Sequence, residues 1–365
     1  MYVSPHYPTL AMSLKKTDFA PRLLRWNQKS NHRAMPWKGE KDPYKIWISE
    51  VILQQTRVEQ GVTYYNNIIK KFPTLDDLAN ASDPAVFKIW EGLGYYSRCR
   101  NMLETARYLA REQNGQFPKT YEAVLSLKGI GPYTAAALVS FAYNLPYAVV
   151  DGNVVRVLSR VFGLSNDFNS TKGKAFFQQF AQQLLPEKKA GAYNQSIMDF
   201  GATVCKPVNP QCDRCVFQDG CHAFLHQQIA AFPVKKKKQP LKKRSLIYLV
   251  FNYRGHSLVR KRIHQDIWRH LHEFVLLPEE NALITDPVEL TQLIADNYPD
   301  LSFRINNIAG PFRQVLSHQV IQAIFIEVGV RKKPKIDGYQ LVSAASLRQL
   351  AFPVLIRSYR EKHAT

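Results

Sequence analysis

Two carboxylates and four clustered cysteines are the residues of this chain whose type and spacing can do chemistry. Glu50 lies in the run Asp42–Gln60, Asp-Pro-Tyr-Lys-Ile-Trp-Ile-Ser-Glu-Val-Ile-Leu-Gln-Gln-Thr-Arg-Val-Glu-Gln, which reads as one helix. On a helix, Ile46, Trp47 and Leu53 share or flank the face of Glu50. A carboxyl among bulky apolar groups has a raised pKa and keeps its proton near neutrality, the state a general acid needs. Asp151 ends the apolar stretch before it and opens the next helix, where a carboxylate caps backbone N–H groups and ionises easily. A proton donor and an ionised carboxylate are the two states that acid–base chemistry requires. The spacing C-x6-C-x2-C-x5-C at Cys205, Cys212, Cys215 and Cys221 packs four thiolates into 17 residues. Such a loop can close around one metal centre, zinc or iron–sulfur. With five cysteines in all and no export signal at the start, a reducing compartment is expected. Cys99 stands apart and reads as a buried structural thiol.

The elements around these residues must position them and their partner. Tyr121–Leu127 reads as a helix, Lys128–Gly131 as a turn, and Pro132 as the opening of a second helix, where a missing N–H costs nothing. Gly129 and Gly131 give the turn backbone freedom and let another backbone approach closely. The unpaired N–H groups of the second helix then make an anion site, with phosphate the obvious anion. The net charge of +20 points the same way, toward a polyanion and first of all nucleic acid. The longest uncharged run, Gly129–Val150, is interrupted by Pro132, Asn144 and Pro146 and reads as a core helix rather than a membrane span.

Further helices are expected at Asp18–Trp26, Tyr64–Lys71, Leu75–Ala79, Pro84–Trp90, from Asp151 to Phe162, at Phe176–Leu185 and at Tyr193–Ala202. The Arg33–Trp37 loop carries Arg33, followed by Lys38, two charges able to touch a nucleotide or its phosphate. Glu91-Gly-Leu-Gly-Tyr-Tyr-Ser-Arg98 reads as a glycine-bounded turn presenting two tyrosines. Ala231–Ser245, with seven basic residues and no acidic one, reads as an interdomain linker. From Leu246 the pattern alternates as strands do: a hairpin around Arg254-Gly-His, strands near Phe303–Ile308, Gln319–Val328 and Tyr339–Val342, and a helix at Pro287–Asn297.

Three motifs together resemble one family. Leu-x-Gly-x-Gly-Pro-Tyr-Thr from Leu127, followed by Val-Asp-Gly-Asn-Val around Asp151, resembles the helix-hairpin-helix DNA glycosylases. Ser-Glu-x-x-Leu-Gln-Gln-Thr-x-Val around Glu50 resembles the catalytic helix of the adenine DNA glycosylases, the MutY type. The cysteine spacing matches the [4Fe–4S] loop that these enzymes share with endonuclease III. Lys128 stands where most members carry proline. Residues 246–365 resemble that family's Nudix-like domain, on the strength of Trp268-x-x-Leu-x-Glu-Phe274. The glutamate-rich box of Nudix hydrolases is missing, which argues against pyrophosphate hydrolysis. Leu316-Ser317-His318 occupies the place of a Phe-Ser-His loop that reads 8-oxoguanine.

The resemblance implies a mainly α fold: an extension at 1–13, a helical glycosylase domain at 14–230 with a [4Fe–4S] cluster, a linker at 231–245, and an α+β domain at 246–365. It implies a monomeric base-excision enzyme that flips adenine out of A:8-oxoguanine or A:G mispairs in double-stranded DNA, away from any membrane. Glu50 would protonate the departing base and Asp151 stabilise the sugar, as in glycosidases, with Tyr133 and Asn153 in support. Gln54, Gln55, Tyr95, Arg33, Lys128, Gly129 and Gly131 would contact DNA, Tyr95 as the wedge that fills the stack. Lys206 and Arg214 of the cluster loop can face phosphates. Ser317 and His318 would read 8-oxoguanine. Tyr133 stands where bifunctional relatives carry a Schiff-base lysine, so an abasic site is the expected product. An endonuclease III-type enzyme and a non-catalytic iron–sulfur DNA-binding scaffold are the alternatives. The lack of a targeting segment favours a bacterial cytoplasm, with the nucleus as the place in a eukaryote.

Overall fold

The computed structural model describes residues 14–234, 240–278, 283–316 and 318–363. The expected extension at 1–13, residues 235–239 of the expected linker, and Ser317 lie outside these. The described chain gathers into two units, one of residues 14–79 and 104–234, the other of 80–103 and 240–363.

The helices run in order as α1 (Lys16–Ser30), α2 (Pro43–Leu53), α3 (Val58–Lys71), α4 (Leu75–Asn80), α5 (Asp83–Trp90), α6 (Tyr96–Glu112), α7 (Tyr121–Leu125), α8 (Pro132–Tyr143), α9 (Gly152–Phe162), α10 (Thr171–Leu184), α11 (Ala190–Thr203) and α12 (His222–Leu225). Asp42 starts α2 by accepting a bond from the Tyr44 N–H at 2.9 Å, and Pro43 fits the first turn. The expectation of one helix through Gln60 needs correction. Gln55 adopts φ +58°, in the left-handed region, so the helical ladder stops at Leu53 and resumes at Val58. Gln54 and Gln55 therefore sit on a reversal between two helices. Apolar periodicity ran through the break because α2 and α3 both bury residues on either side of it.

α8 buries every residue from Thr134 to Ser140, which fits a core helix. A cluster built on α1, α9, α10 and α11, with Phe19, Leu158, Phe177 and Phe200 at its centre, extends to Phe217 and Cys221. The cysteine loop is thus seated on the core of the first unit. No helix among the described residues is long and apolar enough to cross a membrane.

The second unit carries β1 (Lys242–Asn252), β2 (His256–Lys261), β3 (His272–Glu273), β4 (Val275–Leu276), α13 (Pro287–Asn297), β5 (Phe303–Val315), β6 (Gln319–Val330), β7 (Gln340–Ser343), α14 (Ala344–Gln349) and α15 (Val354–His363). Two sheets form, ordered β4-β1-β6-β5 and β3-β2-β7. The expected hairpin after Leu246 is corrected by this pairing. Arg254 and Gly255 make the tight turn with φ +50° and +75°, but one bridge, Tyr253 to His256, is all that joins β1 to β2. β1 spends its edges on β4 and on β6, the latter parallel, while β2 pairs with β3 and β7. Local alternation predicts strands and turns; it carries no information on which long-range partner takes each edge. β1 also begins at Lys242, inside the stretch read as linker.

Candidate active site

Glu50 is 4% exposed, on the face of α2 that carries buried Ile46 and Trp47. The Tyr133 hydroxyl, from the first turn of α8, donates to its carboxylate. Burial pushes the Glu50 carboxyl up to about 7; Tyr133 pulls it down and the nearby Asp151 charge adds to the rise. Tyr133 in turn is held well above its ordinary value by burial and by the two carboxylates, so it stays a neutral donor. Glu50 lines a cavity of about 240 Å³ together with Ile46, Trp37, Lys38, Phe141 and Gln195. Flat rings and aliphatic groups with a few polar tips are what an aromatic base needs.

Asp151 caps α9, accepting from the Val154 N–H at 2.7 Å, while Asn153 Nδ2 donates to its other oxygen at 2.8 Å. Its pKa nonetheless rises, because burial outweighs these bonds. The expectation of easy ionisation counted the cap and not the burial. The two carboxylates still differ in kind, since Asp151 has a side-chain and a backbone donor, while Glu50 has the Tyr133 hydroxyl and otherwise apolar neighbours. Asn153 is itself held: Arg156 donates to its Oδ1 at 2.8 Å, to the Gly201 carbonyl at 2.7 Å and to the Cys205 carbonyl at 2.7 Å. A continuous set of hydrogen bonds therefore runs from the first cysteine to Asp151.

Asp199 of α11 escaped the sequence reading. Its side chain is fully buried and accepts from Asn31 at 2.8 Å, Arg33 at 2.9 Å, Gln195 at 3.0 Å and Lys38 at 3.0 Å. Arg33 and Lys38, expected to meet a nucleotide, both pair with Asp199, and Lys38 also lines the cavity. A lone acid between buried Ile197 and Phe200 was the available signal, the same one that marked Glu50.

At the hairpin, Lys128, Gly129, Gly131 and Pro132 are exposed while Ile130 is buried as an anchor. Gly129 has φ +78°, as expected, but Gly131 has φ −97°, which any residue adopts, and serves as the N-cap of α8. Lys128 pairs with Glu104, and the Thr105 hydroxyl donates to the Lys128 carbonyl at 2.8 Å. Gln54 donates to Thr134 Oγ1 of α8 at 3.3 Å, and Gln55 is exposed at its reversal.

Cys205, Cys212, Cys215 and Cys221 line one cavity with Val161, Phe200, Val204, Phe224 and Ile229. None of the four is in a disulfide. Among the described residues no group of three or more His, Cys, Asp or Glu converges as a single-ion site. A chamber walled by four cysteines and apolar side chains fits an iron–sulfur cluster. The Phe217 N–H donates to Cys215 Sγ at 3.4 Å and Arg160 to Cys205 Sγ at 3.6 Å, bonds that stabilise sulfur ligands as anions. Lys206 is half-buried and Arg214 exposed on the same loop.

In the second unit Tyr95 has φ +47° and is 37% exposed, whereas Tyr96 is buried. His318 lies at the tight β5–β6 turn, which the Leu316 N–H closes on the Gln319 carbonyl at 2.8 Å. Cys99 is buried, as expected, and burial pushes its thiol up.

The profile of the HhH-GPD superfamily of base excision DNA repair proteins matches residues 48–184, and that of the iron–sulfur binding domain of endonuclease III matches 205–221. An adenine DNA glycosylase of Buchnera aphidicola subsp. Baizongia pistaciae is 32% identical over 301 residues, 82% of this chain and 83% of that protein. The chain belongs to the adenine DNA glycosylases. Over 216 residues it is 41% identical to the adenine DNA glycosylase of Homo sapiens, covering 57% of this chain and 39% of that one. The solved structure of a thermostable thymine-DNA glycosylase aligns with a TM-score of 0.52 at 28% identity, covering 58% of this chain and 97% of its own. As a member of this family the protein is a base-excision glycosylase, a hydrolase of N-glycosyl bonds, and its cofactor is a [4Fe–4S] cluster. The four cysteines are the residues that would hold it.

Proposed function

We propose that this glycosylase excises adenine lying opposite 8-oxoguanine or guanine in duplex DNA and leaves an abasic site with the strand intact. The observation that carries the reading is Glu50, poised at about 7 beside a cavity with aromatic walls. Adenine flipped into that cavity takes the Glu50 proton at N7. The bond from sugar to base then breaks with its electron pair leaving on the base. Asp151 stabilises the positive charge that grows on the sugar, and water adds there to complete hydrolysis. Tyr133 holds the Glu50 carboxyl, and Asn153, itself held by Arg156, orients Asp151. Cys205, Cys212, Cys215 and Cys221 would hold the cluster, which would crosslink the loop that carries Lys206 and Arg214.

The exposed hairpin at Lys128, Gly129 and Gly131 takes a backbone phosphate, Gln54 and Gln55 approach the duplex from the reversal after α2, and Tyr95 fills the emptied stack. Arg33, held by Asp199, contacts the DNA. The α+β residues 246–365 act as a Nudix-like reader of the opposite base through Ser317 and His318; the exposed tip at His318 supports that role. The protein works as a monomer on chromosomal DNA.

Tyrosine at 133 has no amine with which to form a Schiff base, so strand cutting is not expected. Borohydride added to protein and an A:8-oxoguanine duplex tests this. The expected result is no trapped complex and strand breaks only after alkali. High-yield trapping would contradict it.

A further inference from the structure

The turn that carries Tyr95 is held by the C-terminal end of the chain. It is a strained turn: Gly92 and Gly94 have φ +95° and +76°, and Tyr95, a bulky residue, has φ +47°. Left-handed backbone at a side chain of this size is costly and persists where surrounding bonds enforce it. Those bonds come from both sides. The Trp90 indole donates to the Gly94 carbonyl at 3.1 Å, and Arg98 lies over the Trp90 and Tyr95 rings. From the other side comes the peptide of Phe352. Its N–H donates to Glu91 Oε1 at 3.0 Å, and its carbonyl accepts from the Tyr96 hydroxyl at 3.4 Å. The same hydroxyl accepts from the Gly92 N–H at 3.2 Å. Arg357 of α15 donates to the Glu91 carbonyl at 3.3 Å, and Lys88 bonds the second Glu91 oxygen at 2.6 Å. Phe352 is fully buried and stacks on Phe274, the last residue of the Trp268–Phe274 motif, at 5.7 Å.

We infer that Glu91 is a positioning residue for base extrusion, clamping the Tyr95 turn to the Phe352–Arg357 segment. The α+β unit then does more than read the opposite base: it fixes the wedge that opens the stack. Segment 80–103 clusters with that unit, which agrees with this role. The inference rests on the reading of Tyr95 as the wedge.

Its test uses the full-length holoprotein and a duplex with 2-aminopurine at the target position, whose fluorescence rises on leaving the stack. Glu91→Ala is expected to lower the rate of that rise roughly tenfold, the order of one lost buried bond to a charged group. Glu91→Gln, which still accepts from Phe352, restores most of it. Arg357→Ala, at a partly exposed position, gives a smaller loss in the same direction and serves if Glu91→Ala fails to fold. Tyr95→Ala is the reference, and the Glu91→Ala/Tyr95→Ala double variant is expected to be no slower than the slower single one. An unchanged rise in both Glu91→Ala and Arg357→Ala, or losses that multiply in the double variant, would overturn the clamp while leaving Tyr95 as the wedge. An unchanged rise in Tyr95→Ala would overturn the wedge reading and the clamp together.

Discussion

At the scale of single residues, the chemistry depends on a carboxyl kept protonated by its surroundings. Glu50 stands at about 7 against an ordinary 4.5 because it is buried. A carboxyl whose folded pKa is raised favours the folded state only while protonated. That contribution is complete below about 4.5 and is lost as the pH rises through about 7. At pH 8 the loss is about 3 kcal/mol, since each tenfold change in proton affinity is worth roughly 1.4 kcal/mol. Glu50→Gln never carries the charge, so it is expected to be more stable than the parent at pH 8, with the gap closing toward pH 5. Thermal unfolding at the two pH values checks this. Glu50 was legible in the sequence because its neighbours on one helix turn are apolar. The rise at Asp151 was not, since its burial comes from elements distant in the chain.

At the scale of elements, two findings turn on contacts that local pattern does not encode. Gln55 breaks what reads as one helix, and β1 and β2 leave their shared turn for different sheets. The turn chemistry of Arg254-Gly255 was readable; the destination of each strand was set by pairing with β6 and β7, far along the chain. Asp199 ties α11 to the Asn31–Lys38 loop through three donors, Asn31, Arg33 and Lys38, with Gln195 of its own helix as a fourth. Asp199→Asn leaves two cations facing a neutral amide and is expected to cost about 3 kcal/mol or more. Urea denaturation measures that, and slower excision at saturating DNA would register the displaced cavity wall. At the hairpin, Gly129→Ala is expected to cost on the order of 1 kcal/mol, because alanine resists the left-handed region. Gly131→Ala, with open space around its Cβ position and φ −97°, is expected to fold normally and to weaken DNA binding alone. Equilibrium binding to a duplex separates the two.

At the scale of the molecule, charge and core organisation decide what the protein can hold. A formal charge of +20 was visible at once and pointed to a polyanion. If six or more phosphates are contacted, affinity falls by about 10³ or more between 50 and 200 mM salt. A titration over that range checks it, and a flat response would place recognition outside the backbone. The cysteine loop continues the core of the first unit through Phe217 and Cys221, so loss of the cluster is expected to loosen that core locally. How the chain divides was only partly legible: the switch from helical to alternating pattern marks the second unit. The inclusion of residues 80–103 in it arises from bonds such as Glu91 to Phe352, which span most of the chain.

The most direct measurement is single-turnover excision from an A:8-oxoguanine duplex across pH 5–9, developed with alkali, for the parent and Glu50→Gln. The expected rate falls about tenfold per pH unit above about 7, where Glu50 loses its proton, with no breaks from Glu50→Gln at any pH. A rate that holds or climbs above pH 7, or a Glu50→Gln protein that still excises adenine at the parent rate, would contradict it.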